Sequence, residues 1–222
     1  MSNEAINKLN LIQDNIRKNL PSNSAIPKII CVSKTFPSEK LEPLIKNGHY
    51  HFGENKVQEA EEKWISIKKL NTNIKLHMVG KLQRNKAKKA LQIFDYIHSL
   101  DSIKLADFLN QKEKELNKKI NYFVQINIGG ELQKSGILPD DVKNFVNYCK
   151  EKTNLNIVGL MVLPPNDDKT SEHFKKVSNL NSELGFKELS MGMSSDYLSA
   201  IKFKSTFLRI GSAILGERNL TK

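Results

Sequence analysis

Two cysteines, Cys31 and Cys149, are all that the 222 residues contain. They form no CxxC pair and have no histidine at ligand spacing, which sets aside a disulfide framework and a zinc site. Both read as small buried hydrophobes, and no metal is expected. No stretch approaches the roughly 18 apolar residues that a membrane span needs. The polar start Met1-Ser2-Asn3-Glu4 lacks the charged-then-apolar layout of a secretory signal, so a cytoplasmic protein without a membrane partner is expected. Aromatic residues are sparse, at 7% with a single tryptophan, and none interrupts the densest cationic cluster, Lys81, Arg84, Lys86, Lys88 and Lys89. Single-stranded nucleic acids are held by stacking bases on such rings. The formal charge of +11 comes mostly from lysines scattered beside glutamates along helical segments, where solvated helix faces account for them. Nucleic-acid binding is therefore disfavoured.

What is present is a rhythm. A hydrophobic content of 39% suffices for a substantial core, and the length lies in the range that α/β barrels fill as one domain, expected to span residues 1–222 as a monomer. After an amphipathic helix over 3–19, apolar periodicity predicts strands at 29–33, 50–53, 76–79, 96–99, 122–128, 157–163, 188–191 and 207–210. Helices are predicted between them at 38–46, 56–69, 85–93, 103–117, 140–152, 171–184 and 195–202. Pro43 blurs the start of the first of these, and Asn47-Gly48 stops it. Eight βα units, the last without a clear helix, predict a single-domain (β/α)8 TIM barrel with ligands at the carboxyl ends of its strands.

The residues that carry chemistry fall just after predicted strands. Lys34 follows the first, where an amine can form a Schiff base with a carbonyl cofactor. Far along the chain, Leu189-Ser190-Met191-Gly192-Met193-Ser194-Ser195-Asp196 and Leu208-Arg209-Ile210-Gly211-Ser212-Ala213 supply the small, hydroxyl-rich turns that a phosphate requires. An amine at one end and an anion cradle at the other point to pyridoxal 5'-phosphate (PLP). By spacing alone, Asn55 reads as a turn former and His77 as a satisfied core histidine.

These pieces resemble a known family, the pyridoxal phosphate homeostasis proteins, single-domain relatives of the alanine racemase N-terminal barrel. The similarity runs in order through Val32-Ser33-Lys34, His51-Phe52-Gly53-Glu54-Asn55, His77-Met78-Val79-Gly80-Lys81-Leu82-Gln83-Arg84-Asn85-Lys86, Lys134-Ser135-Gly136, Gly159-Leu160-Met161, the Ser190 turn, and Arg209-Ile210-Gly211-Ser212-Ala213-Ile214-Leu215-Gly216-Glu217-Arg218. It implies that Lys34 bears the cofactor as a Schiff base, with Asn55 and His77 near the ring. It also implies that Ser190, Ser194, Gly211 and Ser212 surround the phosphate, that Met191 is among the cofactor-binding residues, and that Arg209 faces either the phosphate or the pyridine nitrogen. The Lys81 loop is expected beside the pocket, and Lys134 near its mouth. The chain departs from the usual pattern with Lys204-Ser205-Thr206, where relatives carry Gly-Ser-Thr, and with Ser212, where threonine is frequent.

Three functions follow. The first is a PLP carrier that buffers the aldehyde and supplies it to apo-enzymes. The second is an amino-acid racemase, which needs a base on each face of the substrate carbon. Alanine racemase takes its second base from a further domain, and a chain ending at Lys222 is expected to lack one, which favours the carrier. The third is a basic RNA-binding module, disfavoured by the missing aromatics.

Overall fold

Runs such as Ile-Ile-Cys-Val and Tyr-Phe-Val-Gln-Ile are apolar on both faces, so they suit strands covered by helices on one side and by a barrel interior on the other. The computed structural model describes residues 4–21, 24–131 and 133–217, and in it eight such strands close on themselves. They are β1 (Lys28–Val32), β2 (His51–Glu54), β3 (Lys75–Met78), β4 (Tyr96–Leu100), β5 (Asn121–Ile126), β6 (Asn156–Val162), β7 (Glu188–Ser190) and β8 (Phe207–Ile210). Each is parallel to its neighbours, and β8 returns to β1 with Ile30 opposite Arg209 and Cys31 opposite Ile210. This is the predicted (β/α)8 barrel.

The helices are α1 (Glu4–Asn19), α2 (Glu42–Lys46), α3 (Val57–Leu70), α4 (Ala87–Ile93), α5 (Ile103–Leu116), α6 (Val142–Lys152), α7 (Thr170–Glu183), α8 (Tyr197–Lys202) and α9 (Ser212–Leu215). α1 buries Leu9, Ile12 and Ile16 and packs against α2, α8 and α9. Asn3, the expected start of α1, and Arg218 lie outside the described residues.

Several elements differ from expectation, among them the helices predicted at 85–93 and 140–152, which each open with a 3-10 turn. The helix predicted over 38–46 divides into a 3-10 turn, Ser38–Lys40, and α2, with Pro43 in the first turn of α2, where its missing N–H costs nothing. β5 ends two residues early because the Asn127 side chain turns the chain, donating from Nδ2 to the Glu131 carbonyl at 2.9 Å and accepting the Glu131 N–H at 3.2 Å. The one-turn helix α9 follows β8, where no helix was expected.

Side chains alternate between two environments. Ile30, Val32, Phe123, Met161 and Phe207 fill the barrel with the rings of His51, His77, Tyr96 and His98. Cys31, Trp64, Cys149 and Met191 belong to the larger core between strands and helices. Both cysteines are buried and unbridged, and burial pushes the Cys149 thiol up to about 12.

The departure at Lys204 has a structural cost. This residue turns the chain from α8 into β8 with φ of +63°, a left-handed conformation that glycine adopts freely. For a side chain with a Cβ the strain is about 1–2 kcal/mol, against which glycine's extra unfolded-state entropy offsets roughly 0.4–1 kcal/mol. Lys204→Gly should therefore raise the melting temperature by about 1–4 °C, at some 2–4 °C per kcal/mol for a chain of this size. A lower melting temperature in differential scanning calorimetry would contradict this account.

Candidate functional site

The carboxyl ends of the strands open onto a cavity of about 370 Å³, within the range of small-molecule pockets. Six of the predicted site residues line it: Lys34, Asn55, Ser194, Arg209, Gly211 and Ser212. Val32, Phe36, Val79 and Leu163 supply apolar wall. On one side Ser194 and Ser212 approach each other, with Oγ atoms 3.3 Å apart, and the Ala213 N–H points at the Ser194 Oγ from 3.4 Å. The Met193 N–H is held by the Asp196 carboxylate at 2.5 Å, which fixes the turn that presents Ser194. Loops after the seventh and eighth strands, with a short extra helix, form the phosphate site in many barrels of this kind. The hydroxyl-lined end here fits a phosphate, and the half-buried Lys34 fits an aldehyde partner, so the donor set suits a group carrying both.

The lysine sits in a tight turn. The Phe36 N–H bonds the Ser33 carbonyl at 3.1 Å, and Thr35, third in the turn, has φ of +68°. For a β-branched residue that conformation costs about 1–3 kcal/mol and survives only where neighbours enforce it. On the other flank, Gly80 lets the loop after β3 press on Asn55; a Cβ there would stand 2.3 Å from the Asn55 carbonyl oxygen.

Three predicted residues lie elsewhere. His77 and Ser190 point into the barrel beneath the cavity, and Met191, one residue on, points outward into the helix-facing core. Strand alternation separates the latter two, and neither lines the cavity. Instead, Ser190 and His77 belong to a chain of hydrogen bonds through the barrel interior. Arg209 donates from Nη1 to the Ser190 Oγ at 2.7 Å, and that hydroxyl lies 2.9 Å from His98 Nδ1. His98 Nε2 lies 3.0 Å from His77 Nδ1, and His77 Nε2 lies 3.0 Å from His51 Nδ1. A guanidinium can only donate, so every buried proton is satisfied when Ser190 donates to His98, His98 to His77 and His77 to His51. Arg209 Nη2 donates to the Val162 carbonyl at 2.7 Å, which anchors the guanidinium on a second side. Burial lowers Arg209 to about 10. His98 was missed by sequence reasoning; its signal was a second histidine inside an apolar run, one strand beyond His77.

The basic residues of the β3 loop lie apart. Lys81, Arg84 and Lys134 line a separate cavity of about 570 Å³ with Asp101 and Lys104; Lys86 lines neither. Lys134 is ion-paired with Glu131.

Fold and cavity together define a barrel of the alanine racemase N-terminal class, and the family model for "Alanine racemase, N-terminal domain" matches residues 8–219. The alanine racemase of Clostridium difficile shares this fold with a TM-score of 0.72 at 16% identity, covering 98% of this chain and 58% of the racemase. The similarity to one group is far greater. The pyridoxal phosphate homeostasis protein of Haemophilus influenzae is 37% identical over 95% of this chain and 94% of its own length. PipY of Synechococcus elongatus, in a structure with PLP bound, is 32% identical with a TM-score of 0.82, covering 96% of this chain and all (100%) of that one. The chain belongs to the pyridoxal phosphate homeostasis protein family.

The histidine chain makes stability depend on pH. Burial, first of all, drives His77 and His98 well below their usual range, with His98 further opposed by Arg209. Unfolded, each takes up a proton near pH 6.5. The unfolded chain therefore binds more protons below that pH, so this contribution is full above about 6.5 and is lost as pH falls. Unfolding free energies from urea titrations should drop from pH 6.5 to 5, by up to about 1.4 kcal/mol per pH unit per histidine, and His98→Gln should flatten the dependence. A value constant across that range would mean that the buried rings are already protonated in the fold.

Proposed function

We propose that this protein binds pyridoxal 5'-phosphate as a Schiff base on Lys34 and holds it for delivery to the apo forms of PLP-dependent enzymes, without robust catalysis of its own. The observation that carries the reading is the convergence of Lys34, from the first βα unit, with Ser194, Gly211 and Ser212, from the last two, on one cavity. Lys34 would hold the cofactor through its amine, whose condensation with the aldehyde would release the carbonyl oxygen as water. Ser194 and Ser212 would hold the phosphate, and Asn55 would offer an amide to the ring. Bound PLP would supply an electron sink whose strength depends on protonation of the ring nitrogen.

Two features of the lining favour holding over turnover. Arg209 lines the cavity, and its guanidinium has N–H donors beyond the two spent on Ser190 and Val162. Were this donor-only cation to face the ring nitrogen, it would disfavour protonation there and so weaken the sink. Among the described residues that line the cavity, Lys34 and Arg209 are the titratable ones, whereas racemisation takes a base on each face of the substrate. The PLP-bound relative and the family name support the same reading.

Adding PLP to the purified protein should produce a visible imine band that Lys34→Ala abolishes. Ser194→Ala combined with Ser212→Ala should keep the band but weaken binding by roughly tenfold or more, since hydrogen bonds to a charged group contribute about 1.5–3 kcal/mol each. Racemisation of common amino acids well above the rate with free PLP would sink the carrier reading.

A further inference from the structure

Thr35 immediately follows the lysine that the proposed function depends on, and its positive φ lies where such turns favour glycine. Something must hold a threonine there. Its N–H donates to Oε1 of Glu59, in the first turn of α3, at 2.5 Å. Glu59 is held in turn by Lys63, one helical turn on, whose Nζ lies 3.1 Å from the same oxygen. The Lys63 ammonium also donates to the Ser33 carbonyl at 2.8 Å and to Glu54 Oε1 at 2.9 Å. Glu54, fully buried at the end of β2, further accepts from the Ser33 hydroxyl at 2.7 Å and the Trp64 indole at 2.9 Å. The peptide units before and after Lys34 are thus both tied to one carboxylate–ammonium–carboxylate network rooted in β2 and α3.

We propose that Glu59 is a positioning residue for Lys34: by capturing the Thr35 amide it enforces the left-handed turn that directs the lysine into the cavity. This rests on the reading of Lys34 as the cofactor lysine. A glycine at position 35 would reach the same φ without help but would also sample other conformations. Threonine with a carboxylate clamp restricts the turn to one, so the ordering of Lys34 is spent on folding and not on binding. Lys63 serves the clamp but also neutralises the buried Glu54, so its removal would leave an uncompensated interior charge and destabilise the fold broadly. Glu59, only partly buried, separates the two roles.

The test is a cycle of Glu59→Ala, Thr35→Gly and the double variant, each titrated with PLP and followed through the imine band and its release rate. Exchange of the Thr35 amide proton with solvent, measured by NMR without cofactor, gives a second readout. Glu59→Ala should weaken retention by roughly tenfold, the scale of the backbone strain it releases, and should speed Thr35 exchange while leaving the circular dichroism spectrum intact. Thr35→Gly alone should stay near wild type, and the double variant should recover most of the loss, which a charge effect of Glu59 would not allow. Unchanged PLP retention in Glu59→Ala would overturn the clamp alone, as would a double variant as weak as the single one. A wild type without an imine band would overturn both the clamp and the Lys34 reading beneath it.

Discussion

The ladder between the first strand and the last is the constraint on which the site depends. β1 and β8 are joined in parallel from Lys28 opposite Phe207 to Cys31 opposite Ile210, so both run out of the barrel at the same end. The segments that leave them, Ser33 to Phe36 and Gly211 to Leu215, are therefore neighbours despite lying at opposite ends of the sequence. No local interaction can bring them together. The chain must bear the entropy of closing nearly its whole length, and the reward comes only when the eighth strand docks. α1 adds to that reward by packing against α8 and α9, fastening the start of the chain to its end. Any ligand that bridges Lys34 and the Ser194–Ser212 pair binds only the closed state, and so contributes to stability by mass action.

The interior of the barrel follows from a second constraint, the one-way hydrogen bonding of Arg209. Barrels of this class usually fill their centre with valine, isoleucine and leucine. Here a buried cation faces the cavity, and an unsatisfied partner beneath it would be costly. Ser190, His98 and His77 form a series of groups that each accept on one side and donate on the other, passing the polarity down to the half-buried His51. The stacking of His77 on Tyr96 at 4.4 Å and of His98 on Phe123 at 4.3 Å packs these polar rings as though they were apolar. The geometry of Arg209 is thus set by residues that never reach the cavity.

Strand number, order and the position of Lys34 were legible in the sequence because both depend on local signals: apolar runs bounded by turns, and chemistry placed just beyond them. β8 falls on residues 207–210 as predicted, and most other strands shift by one or two residues. What the sequence does not carry is the absolute phase of alternation. A period of two says that Ser190 and Met191 face opposite ways, but not that one points inside and the other outside, nor that Ser190, unlike the predicted Ser194, stays beneath the cavity. The conformation of Thr35 was equally hidden, since threonine gives no hint of positive φ and its partner Glu59 lies 24 residues away. His98 was masked by the apolar character of its strand. At Lys204 the departure from glycine was visible in the sequence, and the structure adds the strain, a φ of +63°.

The composition of the cradle bears on how firmly a cofactor could be kept. The anion end of the cavity offers hydroxyls and backbone N–H groups, while the guanidinium of Arg209 is committed on two sides to Ser190 and Val162. Among the described residues, Lys34 and Arg209 are the cations that line this cavity, so a phosphate seated between the serines would lack the bidentate charge pairing that makes phosphate clamps strong. Under the proposed reading, holding would then lean on the covalent bond to Lys34, which water reverses. A catalyst would gain from a grip that keeps its cofactor through many turnovers. A carrier gains from one in which a single reversible bond, formed by one well-aimed amine, decides between keeping and release.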